Sequence, residues 1–402
     1  LGDFTQSIFK FINANLENIL NFKNTFNNVK VIELNKNFRS TQSIVRLSND
    51  IINYSPIKKY KEYKPSESVS EVGEKVKFTL YEREGVQIDR IAEEIVALKE
   101  DGSPLKEIAV LVRTNVQTAT IEEVLTELDI PFEITKSTSF FDRKEIVDIL
   151  SYARLASETS DDASFRRIYN VPNRFLSKQS LEKLDKFSSE KDIPLFNAAK
   201  TTPQNSDWKF KRGIDSLINI VEEIKFQVST NVNAGRVLKN IVKLTGYKDF
   251  INNAFTNESQ VDERIEAVEK ICEMASKFPT INAFLAHILK IKEKQNKSKG
   301  GDAVQIITMH SAKGLEWDNV FVIDCDSELM PHQMNDDVEE ERRLFYVACS
   351  RPRKRLYISW LLYVGSERLK EGQFIRELLG EDRINEMKKE IFRGSKESVC
   401  FY

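Results

Sequence analysis

The pattern of apolar and polar positions divides this chain into two kinds of text. Short apolar runs of β type occur at Val76 to Tyr81, Ile108 to Arg113, Phe132 to Thr135, Val304 to Met309, Val320 to Ile323 and Leu356 to Trp360. Between them, apolar residues recur at helical spacing, as in Val86 to Leu98, Ile121 to Leu128 and Val338 to Cys349. Strands alternating with helices predict an α/β fold with a mostly parallel sheet, whose ligands gather at the carboxyl ends of the strands. Nearer the start, Val31 to Leu34 predicts a short strand, and Asn35 to Thr41 opens a helix running to about Tyr54. Tyr54 to Lys75 loses periodicity and predicts a loop. Ser311 to Glu316, joining two apolar runs, predicts the start of a helix whose backbone N–H groups favour anions. His310, Lys313, Glu316 and Arg351 are then expected at the ligand-binding edge.

Beyond about Asp161 the alternating strand signal stops. Ile214 to Ile224, Val237 to Leu244, Ile265 to Ala275 and Phe284 to Ile291 all carry apolar residues at helical spacing. Residues 161–300 therefore read as an all-helical insertion. It ends in the polar, glycine-ended stretch KEKQNKSKGGD.

Composition narrows the function classes. At 402 residues the chain has room for about two or three domains, and 41% hydrophobic with 30% charged residues describes an ordinary globular protein. No apolar run approaches the ~20 residues needed to span a bilayer, and no signal peptide is visible, so a cytoplasmic, membrane-free protein is expected. The four cysteines (Cys272, Cys325, Cys349, Cys400) are scattered and there are only three histidines, which argues against a disulfide framework or a metal cluster. A net charge of −2 excludes bulk attraction to nucleic acid, so any such contact must use a local groove and weaken with salt.

Two long strings carry a more specific signal. TMHSAKGLEW at Thr308 to Trp317 and EEERRLFYVACSR at Glu339 to Arg351 resemble, in the right order, the last two motifs of the UvrD/PcrA/Rep family of superfamily 1 DNA helicases. Gly2 to Phe11 resembles the third motif of that family, and Asn35 to Thr41 the fourth. The resemblance implies a RecA-like parallel sheet of the P-loop NTPase type, interrupted by a helical subdomain. It divides the chain into 1–28, the end of a first motor domain; 29–160, the first part of the second; 161–300, the inserted subdomain; 301–385, the second part; and 386–402, a tail.

The resemblance also implies roles. Gln6 would sense the γ-phosphate of ATP, Phe38 would pack against adenine, and Arg39 and Arg351 would reach the γ-phosphate, with Glu316 coupling phosphate and ribose. Phe11, Asn115, Thr308, His310 and His332 would contact single-stranded DNA. The chemistry suits the residue types. An amide can orient water, a flat ring stacks on any base, and a guanidinium stays charged and grips phosphate oxygens with a planar fork. An arginine finger of this kind is worth roughly 10³ or more in rate. On spacing alone, Gln6 and Phe11 also fit a turn and a core residue, Arg39 a surface ion pair, Asn115 a helix cap and His310 a core histidine. Arg342 and Arg343 fit structural salt bridges, and Asp324, which ends the apolar run within VFVIDCD, fits a strand end better than a metal ligand. Two departures stand out: Ile12-Asn13 replaces the family's Arg-Gly, and Phe175-Leu176-Ser177 replaces a Gly-Ile-Gly turn that contacts duplex DNA in relatives.

No GxxxxGK[ST] phosphate loop and no strand-borne Asp-Glu pair occur in the sequence. The expectation is therefore the C-terminal half of an ATP-dependent 3'-5' DNA helicase or translocase, part of a longer protein, inactive by itself. Mg2+ and the β-phosphate would be held by an upstream motor domain, and the nucleic-acid partners would be single strands and single/double-strand junctions. The alternative is a non-catalytic DNA- or partner-binding module derived from such a half.

Overall fold

The computed structural model describes residues 3–8, 22–26, 29–30, 32–60, 63–201 and 208–402. Phe11 lies outside them. The chain forms two compact units, Leu1–Ser137 with Lys294–Tyr402, and Thr138–Glu293. Among the described residues no helix is long and apolar enough to cross a membrane.

The first unit is built on one sheet. Its elements in chain order are α1 (Gln42–Asn53), β1 (Lys77–Arg83), α2 (Glu84–Glu100), β2 (Ile108–Val112), α3 (Thr118–Glu127), β3 (Phe132–Ile134), β4 (Val304–Thr308), β5 (Trp317–Val322), α4 (Val338–Cys349), β6 (Pro352–Val364), α5 (Gln373–Leu379), α6 (Glu381–Phe392) and β7 (Glu397–Phe401). The strands lie in the order β7-β1-β6-β5-β2-β4-β3, and Glu367–Arg368 folds back on the end of β6. All neighbours on this path are parallel except β7, which runs antiparallel to β1.

Burial explains the order. All five residues of β2 are buried, as a central strand covered on both faces requires. Successive residues of β6 serve opposite faces. Ile358 and Trp360 join Ile44 and Leu47 of α1 and Leu344 and Val347 of α4 in the main core, whereas Ser359 accepts a hydrogen bond from Gln87 of α2 at 2.9 Å. The amino end of α1 is closed by backbone: Gln42 and Ser43 N–H donate to the carbonyls of Glu71 and Val72 at 2.9 and 3.0 Å. The next turn needs Gly73, at φ +71°, because a Cβ there would lie 2.4 Å from Thr41.

The second unit is helical: Lys144–Ser157, Asp162–Ile168, Lys178–Lys191, Leu195–Lys200, Trp208–Ser229, Ala234–Thr245, Tyr247–Ala254, Glu258–Ser276 and the part of Ile281–Ser298 up to Glu293. It begins at Thr138 rather than near 161, because Lys144–Ser157 packs against Asp162–Ile168, Trp208–Ser229 and Ala234–Thr245. That helix buries two acids. Asp148 accepts from Tyr247 Oη at 2.6 Å and Arg167 Nε at 2.5 Å, and Glu145 from Arg143 and Arg264 at 2.6 and 2.5 Å. The Val-Pro-Asn-Arg string ends in a tight turn that leaves the Phe175 ring 81% exposed at φ +61°.

Several expectations need correction. Ile32 to Leu34 forms no strand, and Ile32 and Leu34 are exposed; the pairing is made instead by Lys36–Asn37 with Glu67–Ser68. Residues 386–402 are no separate tail, since Glu397–Phe401 closes the sheet against β1. Residues 309–314 form turns, with Gly314 at φ +87°, and open no helix. In the sheet, β2 lies between β4 and β5.

Candidate functional site

Eight residues, 309–316, carry the chain from the carboxyl end of β4 back to the amino end of β5. Helix α4 makes the same journey before β6, spanning about 18 Å at 1.5 Å per residue. His310 therefore lies beyond the carboxyl end of β4, while Glu316 and Arg351 lie just before the amino ends of β5 and β6. The expectation that all of them share the carboxyl edge is incorrect. Two groups of side chains, one at each edge, are joined by two connectors.

The amino-edge group is assembled by backbone anchoring. Asn37 Oδ1 accepts from the N–H groups of Arg39 and Ser40 at 2.9 and 3.0 Å, fixing the turn that carries Arg39. Ser40 Oγ donates to the Pro352 carbonyl at 2.6 Å, and Thr41 N–H to that of Arg353 at 3.2 Å. Arg39 is thereby held beside Arg351. Its Nε donates to Glu316 Oε2 at 2.5 Å and its Nη1 to the Ser350 carbonyl at 3.3 Å. Arg353 grips the other oxygen of Glu316 at 3.3 Å and Asp318 at 2.7 Å, and also pairs with Glu107. The hydrogen bond from Arg39, with the charges of Arg39 and Arg353, holds the Glu316 carboxyl below its usual range.

Arg351 is 1% exposed. It donates to the carbonyls of Val347 and Leu315 at 2.8 and 3.3 Å, to Ser350 Oγ at 2.8 Å and to Gln6 Oε1 at 3.4 Å. All of these acceptors are neutral. Burial, and then the neighbouring Arg39 cation, push its pKa down to about 10. Gln6 is oriented in turn by donating from Nε2 to Asp3 at 2.6 Å. Two cations clamp the backbone behind it: Lys313 Nζ donates to the Gln6 carbonyl at 2.9 Å and Arg343 Nε to that of Ser7 at 2.6 Å. Arg343 thus holds a carbonyl where an ion pair was expected, whereas Arg342 does pair with Glu339 and Glu377. Phe38, next to Arg39, is 76% exposed.

The carboxyl-edge group centres on an ion pair absent from the sequence reading. Arg113, just after β2, donates twice to Glu341 of α4 at 2.9 and 2.7 Å. Glu341 also accepts from His332 N–H at 3.3 Å and Asn335 Nδ2 at 2.9 Å. Burial would raise its pKa, but the hydrogen bonds and charge of Arg113, with Asn335 and the His332 N–H, outweigh burial and hold it below the usual range. His310 is pushed down to about 4, by burial first and then by Arg113, against a smaller pull from Glu341. It is neutral near pH 7 and can offer a ring N–H or a lone pair, but not a charge. Thr308 Oγ1 lies 3.0 Å from Ser311 Oγ. Asn115 opens the short 3-10 turn Asn115–Gln117 rather than capping it, and its Oδ1 is buried with no protein partner. Asp324 accepts from the Gln117 amide at 2.6 Å, in keeping with a structural strand end.

The structure therefore brings Gln6, Arg39, Glu316 and Arg351 together at one edge, and gathers His310 and His332 about Arg113 and Glu341 at the other. Arg353 was missed although a signal was available, since it stands two positions after Arg351 on an extended segment and so on the same side. Arg113 and Glu341 had no local signal, because 228 residues separate them.

A buried guanidinium beside a second one, with no carboxylate within ion-pair reach of it among the described residues, suits the oxygens of a polyanion such as a nucleotide phosphate. It does not suit a hard divalent cation. The nearby carboxylates are all engaged, Glu316 and Asp318 by cations and Asp3 by Thr5 and Gln6.

A family model described as the UvrD-like helicase C-terminal domain matches residues 32–363. Over 418 residues the chain is 32% identical to the ATP-dependent DNA helicase PcrA of Bacillus subtilis (strain 168), covering 97% of this chain and 55% of that protein. It is 28% identical to the ATP-dependent DNA helicase PcrA of Staphylococcus epidermidis (strain ATCC 35984), covering 94% of this chain and 54% of that protein. Against the protein of that name from Staphylococcus aureus (strain Mu50) the identity is also 28%, with 94% and 53% covered. The chain spans about half the length of the curated relatives it matches.

Proposed function

The chain belongs to the UvrD-like helicase C-terminal domain family, and from that premise we propose that it is the second motor half of an ATP-dependent 3'-5' DNA helicase or translocase. In this reading Arg39 and Arg351 grip the terminal phosphoryl group of ATP, Gln6 orients the attacking water, Glu316 couples phosphate to ribose, and Phe38 covers the adenine. Asn115, Thr308, His310 and His332, with Phe11, line the path of single-stranded DNA and of junctions between single and double strands. The β-phosphate cradle and Mg2+ belong to an upstream motor domain.

The observation that carries the reading is Arg351: a 1% exposed cation with neutral hydrogen-bond acceptors, beside a second guanidinium. Such a charge is costly to bury, and it becomes useful when negative charge grows on a transferred phosphoryl group. When bound, ATP supplies the phosphoryl group whose loss drives the cycle. The residues of this chain hold it, exclude water around Arg351 and, through α4 and residues 309–316, connect its edge to the DNA-facing edge.

The test is Arg351→Ala in the protein joined to its phosphate-loop domain. DNA-stimulated ATP turnover should fall by roughly 10³, with nucleotide binding largely kept. Unchanged turnover would refute the reading. The 402 residues alone should show no DNA-stimulated ATPase activity; measurable turnover from them would overturn the division of labour.

A further inference from the structure

Glu341 is 0% exposed and accepts from four donors on two segments: both arms of Arg113 after β2, and the His332 N–H and Asn335 Nδ2 on the loop before α4. Within the loop, Met334 N–H donates to His332 Nδ1 at 3.2 Å and Asp337 N–H to Asn335 Oδ1 at 3.0 Å. The same carboxylate sits at the amino-terminal end of α4, whose far end leads into Arg351. We propose that Glu341 is a positioning residue for the DNA-facing edge. It holds the Arg113 fork and the His332 loop in one register, and so presents His310 and His332 to a nucleic-acid strand without touching that strand. This rests on the functional reading above.

Electrostatics alone predicts the opposite sign from the proposal. Removing an anion near a polyanion's path should tighten binding or leave it unchanged. Removing a positioning group should loosen it, because the loop and the Arg113 fork lose their common acceptor and must be ordered by the ligand instead.

The sign is read by fluorescence anisotropy with a labelled 20-nucleotide oligothymidylate and the 402-residue chain, across a salt series. Glu341→Gln is expected to weaken binding about tenfold, the size of one lost charge-assisted hydrogen bond. The slope of log affinity against log salt should not change, because no phosphate contact is removed. Glu339→Gln, two positions away and paired with Arg342, should bind within twofold of the parent. If Glu341→Gln does not fold, the double variant Arg113→Met/Glu341→Met replaces it, since exchanging a buried pair for apolar groups leaves many folds intact. It should melt near the parent temperature yet bind about tenfold more weakly.

Hydrogen exchange gives a readout that global stability does not move. The amides of His332 to Asn335 should exchange faster in Glu341→Gln while those of β2 and β4 stay as protected as in the parent. If the parent binds with salt dependence and Glu341→Gln binds equally or more tightly, the proposal is wrong and the functional reading stands. If the parent binds no oligonucleotide at low salt, the DNA reading fails and takes the proposal with it.

Discussion

His310 offers a sharp thermodynamic test of the carboxyl-edge geometry. Its pKa falls from an ordinary 6.5 to about 4 because the partly buried ring loses solvent and lies beside Arg113. The folded chain therefore keeps this imidazole neutral at pH values where the unfolded chain protonates it. The contribution is fully present above about pH 6.5 and is lost as pH falls through the window down to about pH 4. At 1.36 kcal/mol per unit the full effect is about 3 kcal/mol, and between pH 7.5 and pH 5 it amounts to about 2 kcal/mol. Other groups titrate in the same window. Asp326 is raised to about 7, by burial first and then by Asp324, and so stabilises the fold as pH falls. The measurement must therefore be differential. Urea unfolding of the parent and of His310→Gln would be followed at both pH values by the fluorescence of Trp317 and Trp360, both buried in the first unit. The parent should lose about 2 kcal/mol more than the variant on going to pH 5. Equal losses would mean that the imidazole is not held neutral, and the placement of His310 beside Arg113 would be wrong.

Two further substitutions probe the main core of the first unit and the turn that braces the amino edge. Trp360→Ala, at a 0% exposed position in the main core, should cost about 3–5 kcal/mol in denaturant unfolding. Trp360→Phe should cost far less, because the indole N–H has no acceptor to lose. Gly73→Ala places a methyl 2.4 Å from Thr41 at φ +71° and should destabilise by about 2 kcal/mol or more. Because Thr41 is tied to the start of β6, the same substitution should also weaken nucleotide binding through Arg39, measurable by calorimetry in the motor-complete protein.

The strands and helices were largely legible because apolar period reports burial directly. IAVLV at Ile108 to Val112 can only be a strand covered on both faces, and Val338–Cys349 appears with the bounds its pattern predicts. The strings around Arg39, Glu316 and Arg351 also identified the family. Misreadings arose where local signal conflicts with tertiary demand. The Lys313-Gly314 segment reads as the start of a helix, yet eight residues must cross the sheet from one edge to the other, and turns cover that path where a helix begun there could not finish. The edge strand Glu397–Phe401 carries no period of its own strong enough to predict it, and it is a strand because β1 offers it a ladder.

The sequence alone determined which residue types stand at the candidate site and which elements carry them. Only the tertiary structure decided that these residues separate into two groups at opposite edges of one sheet, bridged by α4 and by residues 309–316. It alone decided, too, that the Arg113 and Glu341 pair organises one group while the Glu316 and Arg353 pair braces the other. Hydrophobic period is a local property that a string of residues states about itself, whereas an ion pair across 228 positions exists only after the sheet has brought its partners together.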